Sequence, residues 1–167
     1  SVEVLFDGAE AQAIGNPGDY LQRPGFWQGG IGIAACWYGA ARQIAEVLRQ
    51  QCTQRQEPHA LAHLGAVDTA LQAAADVLRF SALHIDAHPK ENAELLARRA
   101  RAVVEQSAEQ VIREAGRALG AGPYCKDRHF ARLIADLPVF LRQSHAERDL
   151  AALGQIVAAQ SAEAWSL

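Results

Sequence analysis

The chain of 167 residues contains no methionine. Ser1 is therefore not expected to be a native start, and the chain is expected to be a piece of a longer protein. Cysteine is scarce. Cys36, Cys52 and Cys125 are odd in number and lack Cys-x-x-Cys spacing. That excludes a disulfide scaffold and points to reduced thiols in the cytoplasm. Cys36 lies in the apolar run Ile33–Tyr38 and is expected to pack as a small hydrophobe. No apolar run reaches the ~20 residues of a membrane span. No signal-peptide pattern opens the chain. Positive charge is also short: 16 Lys and Arg against 19 Asp and Glu leave a net −3. That argues against a dedicated nucleic-acid binder. Aromatics make up only 7% while alanine and leucine dominate, which favours helix.

What is present is organised as one short apolar segment followed by helices. Residues 2–6 alternate Val, Glu, Val, Leu, Phe, a strand pattern. Residues 9–25 carry Gly15, Asn16, Pro17, Gly18, Pro24 and Gly25 and read as loop. A lone strand needs a partner, so residues 1–25 are expected to be the remnant of a preceding β-domain. Residues 26–167 are expected to be a helical-bundle domain. The first helix is predicted over about 26–50, with Ile33, Trp37, Tyr38, Ile44, Ala45 and Leu48 inward. Gly29, Gly30, Gly32 and Gly39 suggest close backbone approach there. The second helix follows Pro58 and ends near Ala87. Its heptads Leu64-Leu71-Leu78-Ile85 and Val67-Ala74-Ser81 mark a bundle seam. A third helix spans about 90–119 and a fourth about 127–136, with a bend at Leu137-Pro138. A fifth spans about 146–162, opened by a Ser144-x-x-Glu147 capping box. The fold class is thus all-α: an up-and-down four-helix bundle with an extra C-terminal helix and a short N-terminal strand.

Several charged groups invite functional readings. His59/His63 and His84/His88 each place two imidazoles on one helix face, a spacing that suits zinc. The pairs lie some ~35 Å apart at 1.5 Å per residue. Each lacks further ligands among the acids judged close, Glu57 and Asp86, so no metal is expected. Asp68, Asp76 and the acids from Glu94 to Glu114 read as solvated faces. The arginines at 98, 99 and 101 and at 128 and 132 read as solvated faces or phosphate contacts.

The order of motifs resembles the C-terminal half of the acyl-CoA dehydrogenase family. Leu5-Phe6-Asp7 matches the end of a strand in that family's middle domain, and Ile14-Gly15 a loop leading to its bundle. Ala34–Gly39 matches the first bundle helix, Gly120-Ala-Gly-Pro-Tyr124 a glycine-rich turn, and Arg132-Leu-Ile-Ala-Asp136 the last motif. The resemblance implies a parent flavoprotein with FAD in a groove shared between subunits of a homo-oligomer, acting on an acyl-CoA or related small molecule. It implies FAD contacts from Arg55 and from the backbone at Gly120 and Gly122. A solvated loop charge at Arg55 and a helix C-cap at either glycine explain the same residues without FAD. The family's catalytic glutamate falls on Ser144, and its alternative location on Gly29. Neither can abstract a proton, so the role passes to Glu147 or His145, with the capping box a competing use of Glu147. Ala135 stands where the family has arginine. The fragment alone is not expected to turn over substrate. Alternatives are a flavin-dependent monooxygenase of the same superfamily and a non-catalytic helical oligomerisation module.

Overall fold

A computed structural model describes residues 2–160 and Trp165. Among them are seven helices: α1 (Asp19–Gln22), α2 (Pro24–Gln54), α3 (Pro58–Ala87), α4 (Glu94–Leu119), α5 (Ala121–Lys126), α6 (Arg128–Leu141) and α7 (Glu147–Ala158). The architecture is an all-α bundle. The three long helices α2, α3 and α4 pack mutually, α6 lies against α2, and α7 lies against α4. Short connections make α2 and α4 parallel to each other and antiparallel to α3. No described helix is long and apolar enough to cross a membrane.

The helix limits follow local chemistry. Pro24 and Pro58 occupy first-turn positions, where a missing N–H costs nothing. Glu57 Oε2 accepts from Ala60 N at 2.7 Å and caps α3. Asp127 caps α6 by accepting from His129 and Phe130 N–H groups. Pro138 does not end α6, which runs through it to Leu141. Leu137 and Leu141, both buried, hold that last turn onto the core and outweigh the lost hydrogen bond.

Trp37 is the centre of the core. It is fully buried, with Phe140 edge-on at 6.1 Å and the Arg101 guanidinium 4.6 Å from its ring centre. Its indole N–H has no hydrogen-bond partner among the described residues. Burying such a ring is worth ~4–6 kcal/mol at ~25 cal/mol per Å². An orphaned N–H costs ~1–3 kcal/mol, so burial wins.

Several sequence expectations change, among them the loop read over 9–25, which contains the short helix α1. Residues 2–6 form no strand: Val2, Val4, Leu5 and Phe6 are extended and exposed, because no second strand among the described residues pairs with them. Cys36 is exposed, and Cys52 is the buried thiol. Ile33 turns outward while Ile31 is buried, a shift of the apolar stripe. A Cβ at Gly29, Gly32 or Gly39 would meet open space, so no backbone approaches there. Glu114 is buried rather than solvated. It accepts from His63 Nδ1 at 2.7 Å and from Arg113 Nε at 2.9 Å, linking α3 to α4. The last turn expected for the fifth helix, 161–162, lies outside the described residues.

Candidate functional site

The α4 face toward α7 carries an unusual density of charge. Arg98 and Arg101 project from α4 beneath Trp27 of α2, and Arg142, Ser144 and Glu147 close over them from the α6–α7 connection. Together they line a cavity of about 210 Å³. Arg98 stacks 4.7 Å from the Trp27 ring centre and pairs with Glu94 at 2.9 Å and Asp149 at 3.2 Å. Arg142 pairs with Glu105 at 2.9 Å and Glu109 at 2.6 Å. Arg98 is therefore shielded as well as paired, while Arg142 is paired but still exposed. Arg101 differs, since it donates to Gly30 O at 2.9 Å and makes no ion pair among the described residues. Burial pulls its guanidinium below the ordinary arginine value, and the nearby Asp149 and Glu105 charges oppose that. It remains a cation. Glu147 is the cavity's carboxylate without an ion-pair or hydrogen-bond partner among the described residues. The pocket thus offers one unpaired cation, one unpaired anion and an aromatic wall.

The connection over the cavity is strained. Ala146 has φ 43°, the one described non-glycine residue with positive φ. Such a conformation persists only where neighbours hold it. Here Ala146 N donates to Ser144 Oγ at 3.3 Å, and its carbonyl accepts from Asp149 and Leu150. The Ser144–Glu147 capping box does not form. α7 starts at Glu147, leaving Ser144 in the preceding turn, where its N–H donates to Leu141 O. Asp149 supplies the capping carboxylate instead, accepting from His145 N at 3.0 Å. Glu147 is thereby freed from the competing use.

The candidate residues divide between the two ends of the bundle. Ser144 and Glu147 line the cavity, while His145 is exposed with its Nδ1 3.8 Å from Asp149. Gly29 is exposed on α2 and outside the cavity lining. Arg55 and Gly120 lie at the other end, after α2 and α4 respectively. From Arg101 to Gly120 along α4 is ~28 Å at 1.5 Å per residue. Arg55 is exposed, and its guanidinium has no partner among the described residues. Gly120, at φ 61°, makes the turn between α4 and α5. Gly122 lies inside α5 and takes no special backbone conformation. The turn predicted at 120–124 is therefore one left-handed glycine followed by a short helix. Gly116 makes room for that helix: a Cβ there would lie 2.5 Å from the Tyr124 hydroxyl. An exposed guanidinium with no partner among the described residues fits a pyrophosphate in donor type.

Sequence reasoning missed Glu91. The chain turns at His88-Pro89, and Glu91 folds back to 3.5 Å from His84 Nε2. The proline two residues earlier was the available signal for that reversal. His84, His88 and Glu91 now share one corner.

The fold and the two ends of the bundle define the class as an all-α helical-bundle protein. Compared with protein-family models, curated proteins and solved structures, the chain matches none.

Proposed function

We propose that this chain is the C-terminal bundle domain of an acyl-CoA dehydrogenase-like flavin oxidoreductase of the cytoplasm, serving its FAD groove and its oligomer contacts. One observation carries most weight beyond the motif order. Val2, Val4, Leu5 and Phe6, in the segment that resembles the family's strand, expose 62–89% of their surface. Apolar residues in strand alternation gain nothing in water, and a neighbouring sheet would cover them. In a groove shared between subunits, Arg55 and Gly120 need not meet Glu147 within one chain. Arg55 would hold the FAD pyrophosphate and the backbone at Gly120 its adjoining part. Bound FAD would supply the hydride-accepting chemistry. Arg101 and Trp27 would orient an anionic acyl substrate, and Glu147 would take the substrate proton.

The non-catalytic oligomerisation module is the second reading. Ser144 standing where the family has its glutamate favours it. One experiment separates the two. The full-length parent should purify yellow, and Arg55→Ala should lower its flavin content through loss of a charge-assisted contact. A colourless parent would sink the flavoprotein reading. Unchanged flavin in the variant would remove Arg55 from the site.

A further inference from the structure

We propose a surface site for a borderline divalent cation, zinc in particular, built from His84, His88 and Glu91. It stands apart from the flavoprotein reading. His84 and His88 are one helical turn apart at the end of α3, with ring centres 4.7 Å apart. One ligand atom from each of the three residues lies within 4.8 Å of the others, and His84 Nε2 is 3.5 Å from Glu91 Oε2. Tetrahedral zinc with ~2.0–2.1 Å bonds needs its donors about 3.3–3.4 Å apart. The His84–Glu91 pair is already near that spacing. The rest requires a side-chain adjustment of about 1 Å at His88, whose ring is exposed and can swing about its Nδ1 bond to the His84 carbonyl.

Two further features favour a ligand set over a chance cluster. The His88 ring approaches the His84 carbonyl through Nδ1 at 3.2 Å. A carbonyl only accepts, so Nδ1 carries the hydrogen and Nε2 keeps its lone pair. Histidines that bind metal are oriented by such a bond on the other nitrogen. The turn bearing Glu91 is also held from two sides. Glu91 N donates to His88 O at 3.1 Å, and Gln28 Nε2 of α2 donates to Pro89 O at 3.0 Å. Two imidazoles and a carboxylate suit zinc, cobalt or nickel and not the all-oxygen shells of magnesium or calcium. Water would fill the remaining position. Bound there, the ion would clamp the end of α3 to the α3–α4 turn.

The other histidine pair is an internal control. His63 Nδ1 is taken by Glu114, and no third ligand joins His59 and His63 among the described residues. The test is calorimetric titration of the untagged, metal-stripped chain with Zn²⁺. One equivalent should bind. His88→Ala and Glu91→Gln should each weaken binding roughly tenfold or more, the scale at which even outer partners of metal ligands act. His59→Ala should leave it unchanged. Zn²⁺ should raise the thermal midpoint of the wild type and not of His88→Ala, with circular dichroism checking that each variant folds. No saturable binding, binding indifferent to both His88→Ala and Glu91→Gln, or equal binding of Mg²⁺ would overturn the site.

Discussion

At the scale of single residues, side chains that satisfy orphan or buried hydrogen-bonding groups decide more than exposed charge pairs do. Asp127 satisfies two orphan N–H groups at the start of α6. Asp127→Ala should cost ~1 kcal/mol, seen as a lower urea midpoint with an unchanged slope. Glu114 gives a pH signature. Its hydrogen bond from His63 holds the carboxyl below its ordinary value, with burial opposing and Arg113 assisting. A carboxyl depressed in the folded state adds stability above its unfolded value and loses it as pH falls through the folded one. Glu114→Gln should therefore be less stable than wild type at neutral pH. The gap should close once the pH drops below the usual carboxylate range near ~4. A gap independent of pH would show that Glu114 contributes by shape alone. Asp127 was legible in sequence as a helix start. Glu114 was not, because its partner His63 is 51 positions away.

At the scale of elements, the helices differ in how firmly they are held. α2, α3 and α4 share the core, whereas α7 has no buried residue and packs on α4 alone. Asp149 is its main polar anchor, reaching Arg98 with one oxygen and His145 N with the other. Helices with few buried contacts open at low free energy. In Asp149→Ala, amide exchange in α7 should accelerate strongly while that of α2 and α4 stays near wild type. Equal protection of α7 in both proteins would mean its apolar contacts suffice. This element closes the cavity, so its release would also expose Arg98 and Arg101. The four long or medium helices were readable from apolar periodicity, with Pro58 and Ala87 correct as limits of α3. α5 was not readable, since a glycine-rich stretch with a proline carries the signature of a turn. It folds as helix because Gly116 lets Tyr124 reach α4 and Phe130 receives its ring edge-on at 5.2 Å.

At the scale of the molecule, apolar surface remains uncovered. Phe80 and Leu83 are 59% and 70% exposed, three residues apart on one face of α3, and Leu150 is 46% exposed on α7. Together with the exposed apolar residues at 2–6, these are natural contact points for further copies or domains. Light scattering on the chain should report a dimer or tetramer, and Phe80→Ser with Leu83→Ser should shift it toward monomer. A clean monomer at high concentration would count against an assembly role for these faces.

The sequence alone determined that the protein is helical, and roughly where each long helix runs. Alanine and leucine at a 3.6-residue period specify that locally, one helix at a time. The heptad seam of α3 likewise announced a bundle before any partner was known. Which charges are buried was decided only by the tertiary structure. Arg98 and Arg101 look like a solvated run in sequence; once α2 and α7 close over α4, both stack on tryptophan rings and, among the described residues, Arg98 alone of the two is paired. The separation of Arg55 and Gly120 from Glu147 has the same origin, because it depends on α2 and α4 running parallel. So does the meeting of Glu91 with His84, set by a chain reversal at Pro89. Periodicity reports the environment of a residue on its own helix. Contacts between helices depend on direction and rotation, and only packing of the whole core settles those.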